Sequence, residues 1–250
     1  MTDRKSQIFL LMRIKHILRA AALMPVLAAS AVLHAQSEPR QPQSVAPTVT
    51  FTLDWPSVEP HRYIIVVDSA GSVIYRSWTA DPAAEHSSTD DPYVRKFLLS
   101  EATRDRIFTL VRKLNYFNGD FEFHKHRVAA TGDKTLAYAD AEKQYVTHYN
   151  WSDNAGVSEL TALFEGMSAT IESGHRLERL RRFDRLGVEE ELKNLERLAA
   201  DHQATELQVI APLLEQLASD PAVINLARHR ARHVLQMAGL PPAGNNQPVQ

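Results

Sequence analysis

Hydrophobic and polar positions change period several times along the chain, and each change predicts an element. Tyr63-Ile-Ile-Val-Val67 is a β-branched run that predicts a strand. Asp68-Ser-Ala-Gly71 follows, with glycine where a hairpin needs a positive φ, and Ser72–Trp78 returns as the second strand. Residues 79–92, with Asp81-Pro82 and Asp91-Pro92 among serines, read as a loop. Ser100 is the expected N-cap of a helix whose apolar positions Ile107, Leu110, Val111 and Leu114 recur at steps of three and four, and Asn118-Gly119 stops it. A strand is expected at Asp120–His126. A hairpin of Leu136–Ala139 and Gln144–Trp151 turns around Asp140–Lys143. A closing helix carries Leu160, Leu163, Phe164, Met167 and Ile171, with Ser158 as its cap. The order β-β-α-β-β-β-α lacks strict βαβ alternation and predicts an α+β domain over 50–173, an antiparallel sheet packed on two helices.

From 174 to 239 only helical spacing remains. Leu177, Leu180, Phe183 and Leu186 predict one amphipathic helix ending at Gly187, and Leu192, Leu195 and Leu198 a second. A third carries Leu207, Ile210, Leu213, Leu214 and Leu217, kinked at Pro212. Asp220-Pro221 is expected to open a fourth, with Ile224, Ala227, Ala231, Val234, Leu235 and Ala238 inward. This arm of about four helices could hinge from the sheet near Ser173-Gly174. Residues 36–49 are rich in proline and glutamine and read as an extended linker; 240–250 read as a disordered tail.

The 250 residues are 44% hydrophobic and 23% charged, ordinary for a globular protein. Residues 1–35 stand apart. Arg4, Lys5, Arg13, Lys15 and Arg19 precede an uncharged run, Ala20–Leu33, that closes on small residues. That pattern predicts a secretory signal peptide cut after Ala35 or Ala31, and so an exported, periplasmic or secreted protein with no stable membrane span after cleavage. Its removal takes away five basic residues and one acidic one, turning a net charge of −2 into a more acidic balance and arguing against nucleic acid as a partner. Cysteine is absent, so disulfides, thiolate metal sites, a cysteine nucleophile and a lipoprotein anchor are excluded.

Candidate chemistry is sparse. If Asp120-Phe-Glu-Phe-His-Lys-His126 is extended, Asp120, Glu122, His124 and His126 share one face and could ligate a divalent metal such as zinc. The same alternation equally describes a half-buried strand with Phe121 and Phe123 inward. His229 and His233 are four apart on a helix but lack the glutamate of an HExxH motif. They share a polar face with Arg230, flanked by Arg228 and Arg232, and these arginines could dock an acidic partner. The bland alternative is a solvated face. Tyr145, Thr147 and Tyr149 share a strand face that could line an aromatic groove or simply pack the sheet. Asn150-Trp-Ser152 matches a glycosylation acceptor, and Asp90-Asp91 pairs two carboxylates in a turn. No phosphate-binding loop, dinucleotide fingerprint or nucleophile elbow occurs.

Two stretches carry resemblances. Tyr63–Tyr75, the helix end Leu114-Asn-Tyr-Phe117 and the later hairpin with a helix ending Ile171-Glu172 resemble a bacterial family of exported α+β domains of unknown function. That family implies no catalytic residues. Glu206–Met237 looks like one HEAT-type helical unit, where a solenoid needs about three. The expectation is therefore a non-catalytic interaction or envelope-structural module needing no cofactor, with another envelope or secreted protein as partner. The alternative is a metal-assisted periplasmic hydrolase using the Asp120–His126 face.

Overall fold

The computed structural model describes residues 46–79 and 91–240; the expected signal peptide, nearly all of the linker, Asp81-Pro82, Asp90 and the tail lie outside them. Six strands form one antiparallel sheet: β1 (Thr48–Asp54), β2 (Arg62–Asp68), β3 (Ser72–Trp78), β4 (Tyr93–Leu98), β5 (Asp133–Ala139) and β6 (Gln144–Tyr149), in the order β4-β3-β2-β1-β5-β6. The β2–β3 turn is as expected. Gly71 has φ 88°, and the Asp68 carboxylate accepts from the N–H groups of Ala70 and Ser72. The β5–β6 turn is closed by Asp140, whose side chain accepts from the N–H groups of Glu142 and Lys143.

Two strands were not anticipated. β1 is Thr-Val-Thr-Phe-Thr-Leu-Asp, with Val49, Phe51 and Leu53 buried and the threonines on the other face. It sits at the sheet's centre, between β2 and β5, although its first two residues fall in the proline-rich stretch expected to be a linker. β4 is an edge strand whose Arg95 and Lys96 hide its alternation. Conversely, Asp120–His126 is not a strand. Asp120 accepts from the N–H of Glu122, a local bond that competes with ladder pairing.

One sheet face carries the core. α1 (Glu101–Lys113) is capped by Ser100, which accepts from the N–H of Thr103, and buries Ile107, Leu110 and Val111. A left-handed turn follows, in which Asn115, Tyr116 and Phe117 all have positive φ and Phe117 is fully buried. α2 (Ala155–Phe183) starts at Asn154, not Ser158; the Asn154 side chain accepts from the N–H groups of Gly156 and Val157. The α+β class and the helical C-terminal part are thus as expected.

The boundaries inside the helical part differ. α2 runs unbroken for 29 residues across Ser173-Gly174, and both residues are buried. Gly174 is not a hinge. A Cβ there would stand 2.6 Å from Ile210 Cγ2, so glycine lets the following segment approach. Phe183 and Leu186, expected on an apolar stripe, are exposed because α2 ends at Phe183. Gly187 opens α3 (Gly187–Ala200) instead of closing a helix. Pro212 sits in the first turn of α4 (Ala211–Ser219) and kinks nothing. Asp220 ends that helix, and α5 (Asn225–Met237) begins five residues later. Leu177, Leu192, Leu195, Leu214, Leu217, Ala231, Val234 and Leu235 form a second buried cluster. The sheet and the helical part belong to one compact unit. Among the described residues no helix is long and apolar enough to cross a membrane.

Candidate functional site

The residues of the expected metal face are dispersed. Asp120 and His124 meet at 2.9 Å, and hydrogen bonding from His124 holds the Asp120 carboxyl below its usual range. Glu122 turns away to accept from the N–H of Asn150 at 2.5 Å. His126 stands edge-on to Phe123. Among the described residues no three His, Cys, Asp or Glu side chains are gathered around a common point that could hold a metal ion. The alternation that suggested one required a strand, and there is none.

The arginines of α5 are partly consumed within the fold. Arg230 pairs with Glu189 at 2.8 Å and with Glu196, both on α3. His233 joins Glu196 at 2.6 Å. Arg230 is therefore a clamp between α5 and α3 and not a free docking group. Arg228 bonds Asn225, one turn back, and its Nε is buried without a partner. Arg232 is half-buried on the same helix. In β6, Tyr149 is buried with its hydroxyl bonded to Thr161 of α2, and Thr147 is buried beside it; this face is sheet packing, not a groove.

A larger cleft than those near these residues lies elsewhere among the described residues. A cleft of about 550 Å³ opens between β4, the second half of α2 and α4. Ile171, Ile210 and Leu213 are among its lining residues, and Arg95, Arg181, Arg182 and His175 line it with Glu178 as the single acid among the described residues. Strand alternation aims Tyr93 and Arg95 of β4 to this side, and helical spacing brings Glu178, Arg181 and Arg182 of α2 over it. The Tyr93 ring lies flat on the His175 ring, 3.8 Å between centroids, and burial raises the Tyr93 phenol pKa. Arg181 donates to Gln216 Oε1 at 2.5 Å. Neither Arg95 nor Arg182 has a carboxylate partner among the described residues. The site can hold anions: planar guanidinium forks match carboxylates.

A smaller cavity of about 220 Å³ is lined by Lys134, Tyr149, Thr161 and Glu165. Lys134 is buried and donates to the carbonyls of Thr131 at 2.5 Å and Asn150 at 3.1 Å, and to the Thr131 hydroxyl at 3.0 Å. Burial lowers the Lys134 pKa and raises that of Glu165. Because the ammonium is spent on main-chain acceptors, this lysine ties the 131–134 bend to β6 and offers little to a ligand.

Comparison of the chain with family models and with curated proteins returns no match. The cleft residues have no sequence motif. The only signals are the arginine-rich stretch Arg176–Arg185 and the period-two pattern of Tyr93–Leu98.

Proposed function

We propose that the protein is a non-catalytic interaction module of the exported space, and that its basic cleft receives an acidic stretch of another envelope or secreted protein. One observation carries this: Arg95, Arg181 and Arg182 converge on a cleft where Glu178 is the one carboxylate among the described lining residues. Export rests on the basic start and the apolar run Ala20–Leu33. The metal-assisted hydrolase alternative keeps only the Asp120–His124 pair, two groups where a zinc centre needs three or four.

The test is fluorescence anisotropy with a labelled heptapeptide of alternating glutamate and valine, against a control with lysine in place of glutamate. The acidic peptide is expected to bind the chain lacking residues 1–35, and more weakly as salt rises. Arg95→Glu with Arg182→Glu should weaken it at least about tenfold. Equal binding of both peptides, or binding indifferent to the double variant, would overturn the reading.

A further inference from the structure

The path of α2 across the sheet says how such a partner would sit. Thr161 bonds Tyr149 of β6, Phe164 stacks on Phe51 of β1, Ser168 and Glu172 bond Tyr75 of β3, and His175 stacks on Tyr93 of β4. The helix thus crosses the strands one after another, from one sheet edge to the other. From Thr161 to His175 it advances about 21 Å at 1.5 Å per residue, and five strand spacings come to about 24 Å. The next turn, Glu178 to Arg182, therefore overhangs the position one strand beyond β4. That position holds no strand among the described residues, and the cleft opens there, lined from the β4 side by Tyr93 and Arg95.

We infer that the acidic partner enters as a seventh β-strand, pairing with the outer edge of β4, which no described strand covers, beneath the overhanging turn of α2. This rests on the reading of the cleft as an acidic-partner site and adds its binding mode. An added strand has a side-chain period of two. Its inward residues would meet Arg95, Arg181 and Arg182 and so should be glutamate or aspartate. Its outward residues would lie on the face of Val94 and Leu98, 45% and 68% exposed on either side of Lys96, and so apolar residues suit the positions beside those two. Main-chain bonds to β4 would supply affinity and the alternating side chains specificity. A second copy pairing through its own β4 is disfavoured in the registers centred on Arg95 or on Lys96, each of which sets that cation against its own copy.

The experiment uses the same glutamate–valine heptapeptide and two N-methylated forms, one methylated on each alternate set of amides. Only one set can face β4. One methylated form is expected to lose at least about tenfold in affinity while the other binds as the parent does. Hydrogen exchange should show the outward-edge amides of β4, every second one along Tyr93–Leu98, protected by the parent. If the parent binds but both methylated forms bind equally well, the added strand is refuted and the acidic cleft stands. If the parent does not bind, both readings fail together. A sulfated polysaccharide that matches the parent's affinity, with no protection of β4, would make the cleft a charge site for glycans and overturn the strand as well.

Discussion

At the scale of single residues, the most demanding group is Glu172. It is 4% exposed, sits in the middle of α2, and its Oε1 accepts from the hydroxyls of Tyr75 at 2.8 Å and Ser77 at 2.6 Å. No cation is paired with it among the described residues, so hydroxyl donors alone replace its water. Glu172→Ala would leave the buried Ser77 hydroxyl without its acceptor and Tyr75 with only Ser168, and should cost about 2–3 kcal/mol. Glu172→Gln keeps an oxygen at the same place and removes a buried charge, so it should stay within about 1 kcal/mol of the parent. Urea denaturation of the two variants checks this; equal losses would mean that the charge, not the acceptor, is what the sheet requires.

At the scale of elements, α2 decides the architecture, and two glycines let it. At Gly166 a Cβ would come within 2.9 Å of the Thr205 side chain, and the Gly166 carbonyl accepts from the N–H of Thr205. Thr170 then donates to the Thr205 carbonyl at 2.6 Å. Gly174 does the same for Ile210. Gly174→Ala should therefore destabilise the protein by about 1–2 kcal/mol, although alanine in a solvated helix would gain about 1 kcal/mol. A thermal melt gives the sign, and a stabilised variant would show that the segment has room to move. Gly174 shows where the sequence misleads. It reads as a hinge, and only the segment around Ile210, dozens of residues further along, reveals it as a contact. The hairpins, the Ser100 cap and most core positions of the helices were legible because turn chemistry and period are local. β1 was obscured by its threonines and by the proline-rich stretch before it, although Thr-Val-Thr-Phe-Thr-Leu alternates cleanly. The cleft was not legible at all, since Arg95 and Arg182 become neighbours only through the crossing of α2 over β4.

At the scale of the molecule, the sheet and the helical part are bound together by more than α2. Glu206, at the entry to the helical segment before α4, accepts from the N–H and hydroxyl of Ser100 at 2.8 and 2.9 Å, so the helical part also holds the start of α1. A disturbance confined to the sheet should therefore unfold the arm too. Alkali supplies one. Burial raises the phenol pKa of Tyr63, Tyr75 and Tyr149, and burial together with the Asp140 carboxylate pushes Tyr138 up to about 12. All four side chains lie between sheet and helices. A phenol whose pKa is raised in the folded state keeps more protons folded than unfolded above pH ~10, its ordinary value. Stability is therefore undiminished below that pH and falls as pH rises through the folded-state values. Helical circular dichroism and tyrosinate absorbance should change in one transition above pH ~10. Tyr138→Phe should make the fall in stability between pH ~10 and about 12 shallower. Tyrosine ionisation completed while the helical signal persists would show that the sheet opens alone, and that the bonds through Glu206 and α2 do not couple the two parts.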